Sequence, residues 1–600
     1  VDDRAQERMA RLQARNERRR ARGQPTWELE ESPGYERSVT EGTPLLADPD
    51  QPTMVLTPSR RRETVDEMLP TGGEEHRRRL AVSTLIFGVA TGLSRVLGLV
   101  REMVAAYYFG AAGRINAFTV AFQVPNLVRA LVADAALSSA FVPVFSDLLE
   151  KGERRRAWRV ASSLFWLMLL GLSALSALFI LVAPWVIGLF GNPGHDSELA
   201  VGLSRVLFPI VALLGCSGVI VGILNSYDHF TVPALSPVFW NLAIILGLVL
   251  GVPNATTMNA KLYVYAFSIL IATVIQVFLP LPWLRTLDRG EERLRILFDW
   301  RDPAVARVFK LMIPVTLGLG LINVNAVIDT FFASRLIDPT LAPTAIQKAF
   351  LVYMLPQGVF SVAIATVLFP TLSRLASRGD MIGFAGTVSN GLRQIAFLLA
   401  PTAAVSAVLC VPIIRILYQR GEWHPSQTPT VAYALAAFSA GLCFNGAMLM
   451  LNRAFFSLQE NWIPTVVALA NLFLNALLDL AFYRVGIWGI PLATAVVNIA
   501  GSVALFVLLR RRLGRLEGRA IASSLLRIVA ATAAVAAVSY IVWKPLDSEF
   551  GRSFGAQVVS LGLALVASVV VYVAASRMLG VREMREMRAL LSLRGRFDRA

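Results

Sequence analysis

The sequence predicts an all-α polytopic membrane protein of about 14 transmembrane helices. They form two six-helix lobes, a parallel pseudo-twofold repeat around a central cavity, with helices 13 and 14 outside the repeat. Three observations predict this. Of 600 residues, 55% are hydrophobic and only 16% charged, with a mean hydropathy of +0.58, whereas soluble domains carry about a quarter charged residues. From residue 80 the chain is a run of apolar segments near the length a spanning helix needs, with basic residues in alternate loops. The chain also repeats itself at a spacing of 227 to 231 residues.

Residues 1–79 are polar and charge-rich, as in RMARLQARNERRRARGQ, and contain no apolar h-region of a cleaved signal peptide. They read as a disordered cytoplasmic extension, or as a basic segment that meets anionic lipid or a cytoplasmic partner. The apolar segments follow at 80–108, 115–147, 159–183, 199–225, 233–252, 261–284, 305–333, 342–372, 384–417, 428–456, 462–484, 487–509, 522–543 and 555–576. The second, eighth and ninth are long and hold proline or charge, so each is expected to bend or to extend beyond the bilayer. The loops after segments 2, 6, 8 and 12 (EKGERRRAWR, RTLDRGEERLRILFDWRD, SRLASRGD, RRRLGRLEGR) and the tail are basic. Odd loops such as GNPGHDSE and VPNATTMN have no Lys or Arg. Even loops and both termini are therefore expected in the cytoplasm.

The repeat sets the domain plan. FVPVFSDLLEKGE matches LFPTLSRLASRGD, pairing Pro143, Ser146 and Gly152 with Pro370, Ser373 and Gly379 at a spacing of 227. Pro184 pairs with Pro412, and Ser226 and Pro233 pair with Ser457 and Pro464. An even number of helices per unit keeps the units parallel. The expected parts are an N-lobe at 80–300 (helices 1–6), a C-lobe at 301–515 (helices 7–12), the pair at 516–580 and a basic tail at 581–600. Two such lobes around a cavity are a common transporter plan, with one lobe rocking against the other. No filter-like loop marks a channel and no Walker A motif is present.

The net charge of +16 sits in the extension and the even loops, so it does not read as a nucleic-acid interface. Cys216, Cys410 and Cys443 lie in apolar segments as small core residues, and no metal-ligand spacing supports zinc. Arg95, Arg101 and Arg129, by contrast, lie inside the first two segments. A cation in a spanning helix normally faces a wet cavity or a partner, so three of them point to an anionic substrate. Arg95 and Arg101 lie about 120° apart on an ideal helix, with Gly98 between them. The alternative for each arginine is snorkelling, or an ion pair with Glu102 or Asp134. In the second lobe Asp329 lies in segment 7. Asn475 and Asp479 share a face of segment 11, and Thr494 follows in segment 12. Buried carboxylates without arginine partners suggest a hard cation held by oxygen ligands. Interhelical hydrogen bonding, or a protonated carboxyl, is the alternative.

SRVLGLVRE, FGAAGRINAF and PNLVRALVADAALSSAFVP, followed by LPQGVFSVAIATVLFPTLS, closely resemble the MurJ (MviN) family of the multidrug/oligosaccharidyl-lipid/polysaccharide exporter superfamily. The resemblance spans residues 80–580 and includes the fourteen-helix count. It implies a bacterial cytoplasmic-membrane flippase, not an enzyme and without catalytic residues. The implied substrate is lipid II, an undecaprenyl-pyrophosphate-linked disaccharide-pentapeptide, moved from the inner to the outer leaflet for peptidoglycan synthesis. It also implies that Arg95, Arg101 and Arg129 line the cavity, where guanidinium suits a pyrophosphate. Some actinobacterial relatives carry a kinase-like cytoplasmic domain after the last helix, and this actinobacterial-like sequence ends before one, as a shorter version or as a truncation. The family's frequent acidic residue is Asn116 here, and its helix-8 arginine aligns with Leu351. Lys348, with Arg335, is expected to supply that charge; the alternative for Lys348 is an interfacial anchor. Some members carry a sodium site matching Asp329, Asn475, Asp479 and Thr494, so Na+ is a candidate coupling ion, with membrane potential as the alternative, and no other cofactor is expected. The chain is expected to be monomeric, to contact membrane lipids, and to meet cell-wall regulators through its N-terminal tail.

Other readings are a flippase for another polyprenyl-linked saccharide, a cation-coupled exporter of the same superfamily, a membrane glycosyltransferase or a cell-wall scaffold. Asp196 and Glu198 are acids of an odd loop, but no catalytic motif surrounds them.

Overall fold

The computed structural model describes residues 72–131, 136–227, 229–286, 293–514 and 518–584. The chain divides into two units, Val1–Arg77 and Arg78–Ala600. Nearly all of the predicted N-terminal extension, most of the basic tail, and Asp134 lie outside the described residues.

Every described element is helical. Helix α1, Gly72–Phe109, begins ahead of the predicted residue 80. Gly110 and Gly113, both at positive φ, turn the chain into α2, Ile115–Arg129, which is followed by α3, Ala136–Glu150. The predicted second segment is thus two helices. Helix α4 is Arg154–Leu189. The fourth segment divides into α5, Ser197–Leu207, and α6, Pro209–Ser226. Pro209 lacks the N–H that would continue the ladder, so the helix breaks before it. The N-terminal half closes with α7, Thr231–Gly251, α8, Met258–Phe278, and the short α9, Leu281–Thr286.

Helix α10, Pro303–Phe332, ends in a π-turn at Ala333–Ile337. Helix α11, Ala342–Ser377, stays one element despite Pro356 and Pro370. The ninth segment breaks into α12, Met381–Val408, and α13, Cys410–Tyr418. Pro412 explains the break: its ring would meet the carbonyl of Val408. Helices α14, Gln427–Ala440, and α15, Leu442–Ser457, meet at a 44° bend. Then come α16, Trp462–Phe482, α17, Gly489–Leu513, α18, Gly518–Glu549, and α19, Phe554–Met578.

Among the described residues ten helices are long and apolar enough to cross a membrane, eleven with α14 and α15 as one bent span. The first, second and seventh predicted segments are helical but fall outside that set. They carry the charges at Arg95, Arg101, Arg129 and Asp329.

The repeat reappears as local geometry. After α3, Gly152 takes φ +75° and the Glu153 amide donates to Leu148 at 2.9 Å. After α11, Gly379 takes φ +70° and the Asp380 amide donates to Leu375 at 3.0 Å. The amides of His229 and Glu460 likewise donate to Leu224 and Phe455, at 2.9 and 3.0 Å. In the turns after α3, α11 and α15 a left-handed residue, Gly152, Gly379 or Gln459, lets a late amide reach back to an orphan carbonyl.

The cores follow the repeat except at α1, whose Ala106 joins the C-terminal cluster, and at α10. One apolar cluster, including Phe384, Phe438 and Phe455, fills the C-terminal half. Two others, around Phe118 and Tyr265 and around Phe145 and Trp158, fill the N-terminal half. Helix α10, the predicted first helix of the C-lobe, sends Val305, Val308 and Met312 into the Trp158 cluster. It therefore forms the seam between the halves. The α18–α19 pair rests on α12, where the Tyr572 hydroxyl donates to the Phe397 carbonyl at 2.5 Å and Arg393 pairs with Glu583 at 3.2 Å.

Candidate functional site

Helix α1 carries the charged residues of the seam. Arg101 donates to Glu102 at 2.6 Å and to Asn241 of α7 at 3.2 Å, and its guanidinium lies 4.9 Å from the Trp240 ring centroid. The second Glu102 oxygen accepts from Lys348 of α11 at 2.5 Å. Lys348 is only 4% exposed, donates also to the Glu102 carbonyl at 3.3 Å, and faces the Tyr418 ring. One carboxylate therefore holds two cations, from the two halves, and the trio keeps a net positive charge. A buried charge is tolerated when it is paired and hydrogen-bonded, as here. Lys348 is thus placed beside the arginine system that sequence reasoning assigned it to, but with a carboxylate already bound. Leu351 carries no charge and is half-buried.

Arg95 is exposed and crosses to the opposite half, where its guanidinium lies against Gly358 of α11. Any Cβ at Gly358 would overlap the Arg95 Nη1, so the absent side chain makes the space. Arg95 and Arg101 thus reach different neighbours, as their angular separation on the helix requires. Arg129, at the end of α2, donates to Asn126 Oδ1 through Nε at 3.1 Å and Nη2 at 2.9 Å. Arg335 stands apart from this group: it is exposed in the π-turn and its side chain packs on Gly191.

The end of the seam beside the α1–α2 turn is closed. Asn116 is fully buried. Its amide NH2 donates to the carbonyls of Ala111 and Gly113, each at 3.1 Å, and to that of Thr340, while its oxygen accepts from the Thr344 amide at 2.9 Å. A carboxylate could not donate to those carbonyls, so the amide suits this position. Thr119 and Thr344 meet at 2.9 Å. The amides of Gly113 and Gly194 donate to Thr340 and Pro339 at 2.7 Å, and the Glu422 amide donates to Tyr107 at 2.8 Å.

A second polar cluster joins α10 and α16. Asn475 donates to Asp329 at 2.7 Å and to Asp479 at 3.0 Å, and Asn325 donates to Asp329 at 3.3 Å. The oxygens Asn475 Oδ1 and Asp479 Oδ1 are buried with no hydrogen-bond partner. No lysine or arginine pairs with either carboxylate among the described residues. Two acids, two amides and two orphaned oxygens form a donor set that suits a hard monovalent cation. Thr494 has no hydrogen bond to it among the described residues. Its hydroxyl donates to the Ile490 carbonyl at 3.3 Å, within its own helix.

Asn241, Trp240 and Asn325 escaped sequence reasoning. Asn325 had a signal, the i,i+4 spacing from Asp329. Asn241 and Trp240 had none, since their partner is far away in the chain. Two repeated helical halves meeting at a seam that carries a buried charge network are the plan of a membrane transporter.

The family model described as "Lipid II flippase MurJ" matches residues 105–579. The chain is 31% identical over 432 residues to the "Lipid II flippase MurJ" of Burkholderia cenocepacia, covering 70% of this chain and 82% of that one. It is 30% identical over 491 residues to a "Probable lipid II flippase MurJ" of Synechocystis, covering 80% and 91%. The chain belongs to the MurJ family. In fold it is similar to a structure titled "Lipid II flippase MurJ, inward closed conformation" (TM-score 0.68, 23% identity, 82% of this chain and 99% of that one). It is also similar to an inward-facing multidrug resistance MATE family transporter of the MOP superfamily (TM-score 0.57, 15% identity, covering 73% and 98%).

Proposed function

We propose that this chain flips lipid II across the bacterial cytoplasmic membrane by alternating access. The observation that carries the reading is the Arg101–Glu102–Lys348 trio, a cationic site that one carboxylate holds in place across the seam. Guanidinium and ammonium groups bind a pyrophosphate through charge-assisted hydrogen bonds. An arriving pyrophosphate competes with Glu102 for both cations, while exposed Arg95 and half-buried Arg129 add to its capture. The closed end carries the odd loops, and loop charge supports an orientation with that end outside and both termini in the cytoplasm. The head group then enters from the cytoplasmic side. Release outside requires the Asn116–Thr344 and Glu102–Lys348 contacts across the seam to part. The lipid tail stays in the membrane beside α18 and α19. Arg335, at the outer end, meets the head group only on exit.

Sodium is the proposed ligand of the Asp329–Asn475–Asp479 cluster, with Asn325 added and the lone pairs of the Thr494 hydroxyl as a further donor. Bound there, it would supply positive charge to two carboxylates that otherwise repel. Its test is thermal stability: sodium should raise the melting temperature of the wild type and not of Asp479→Ala. An equal rise in both would remove the site. The N-terminal extension is proposed to meet cell-wall regulators or anionic lipid, and the chain to act as a monomer.

The functional test is complementation. Cells depleted of their own lipid II flippase receive the wild type or Arg95→Ala, Arg101→Ala or Arg129→Ala, and outer-leaflet lipid II is labelled from outside. The wild type should restore labelling, and the variants, expressed equally, should not. An inserted wild type that leaves lipid II inside would shift the substrate to another polyprenyl-pyrophosphate-linked saccharide.

A further inference from the structure

A cavity of about 500 Å³ lies at the end of α18, away from the seam. Its lining includes Tyr540, Trp543, Lys544, Asp547, Ser548 and Arg552. It belongs to the same end of the molecule as the closed gate. Arg415 of α13 reaches Asp547 at 2.8 and 3.0 Å, and α13 ends at Tyr418, against Lys348.

The charges of this cavity are unbalanced. Asp547 is the acid in its lining, and Arg415 already neutralises it. Lys544 stands over the Tyr540 ring at 5.2 Å and, like Arg552, has no carboxylate partner among the described residues. Glu549, the nearby acid of the same helix end, is exposed and outside the lining. The indole N–H of Trp543 is buried and has no acceptor. A buried donor left unpaired is unfavourable, so an acceptor that reaches it is favoured. Two cations and an orphaned N–H make a site for an anion with several oxygens.

The surroundings say what carries that anion. Ile541 on α18, and Val558, Val559, Val566 and Val569 on α19, are exposed apolar side chains. Tyr540, Phe550 and Phe554 are exposed aromatics at the same end. Aromatics of this kind mark the level of the head groups, and the exposed aliphatic surface faces acyl chains. Arg420, stacked 4.0 Å over Phe554, adds a further cation at the rim.

We propose that this cavity binds the phosphate of an anionic phospholipid, with the acyl chains lying along α18 and α19. Lys544 and Arg552 neutralise the phosphate, and the Trp543 N–H donates to one of its oxygens. The leaflet is the outer one, which rests on the orientation proposed above; the binding itself does not rest on flipping.

The test uses the full chain in a neutral detergent, with phosphatidylglycerol, phosphatidylcholine or inorganic phosphate added. Retained lipid is read by native mass spectrometry and stability by thermal melting. The wild type should retain phosphatidylglycerol over phosphatidylcholine. The double variant Lys544→Gln/Arg552→Gln should retain at least fivefold less, with unchanged melting in the absence of lipid. Trp543→Phe, which keeps the ring and removes the donor, should lose about two- to threefold. Equal retention by wild type and double variant would overturn the proposal. So would stabilisation by inorganic phosphate equal to that by phosphatidylglycerol, which would make this a free-anion site.

Discussion

Glu102 is the residue on which the seam turns. Its two oxygens hold Arg101 of its own helix and Lys348 of the other half at 2.6 and 2.5 Å. Removing one partner of a buried pair strands the other charge, at a cost of about 3–5 kcal/mol. Glu102→Ala should therefore lower the melting temperature markedly. Lys348→Met in that background should recover part of the loss, because one stranded cation is gone. Melting of the two single variants and the double variant, read as a cycle, checks this. Strictly additive losses would mean that Glu102 and Lys348 are not coupled. Complementation adds a second readout: the double variant should regain stability without regaining transport.

At the scale of elements, glycines set how closely the helices approach. Gly110 and Gly421 sit where α1 meets the turn after α13, at φ +65° and +61°. A Cβ on Gly110 would stand 2.7 Å from the Glu422 carbonyl oxygen, and one on Gly421 would overlap the Tyr107 carbonyl. Left-handed backbone alone costs an L-residue roughly 1–2 kcal/mol, and backbone cannot move aside as a side chain can. Gly110→Ala and Gly421→Ala should hold this end apart. A cysteine reporter placed there should react faster with an impermeant thiol reagent than in the parent chain. Unchanged labelling would show that the approach is not needed for closure. Gly358→Ala is a different case, since it meets the flexible Arg95 side chain. It should reduce transport and leave melting nearly unchanged.

For the whole molecule, alternating access requires the closed end to open. Thr119 and Thr344 bring side-chain oxygens from the two halves to 2.9 Å, so a cysteine pair at these positions reports on that contact. In a background without Cys216, Cys410 and Cys443, Thr119→Cys with Thr344→Cys should crosslink under oxidation. Flipping should stop on oxidation and return on reduction, while either single variant stays active. Flipping that continues in the crosslinked chain would exclude opening at this end. Helix α10, packed on one half while its Asp329 bonds Asn475 in the other, is the element through which a bound cation would bias that motion.

Local pattern alone carried the membrane class, the repeat and the intramembrane arginines. Apolar run length, loop charge and turn glycines are properties of neighbouring residues, so they are legible in a string. Even the equivalence of Gly152 and Gly379 shows in the sequence and returns as a shared backbone turn. Pairings across the fold were not legible. Glu102 meets Lys348 over a separation of 246 residues, and Asn241 meets Arg101 over 140. The Thr494 hydroxyl donates within its own helix, and α10 joins its core to the N-terminal half. Which side chain completes a charge depends on how helices cross and rotate. Many distant contacts decide that together, and only the tertiary structure contains them.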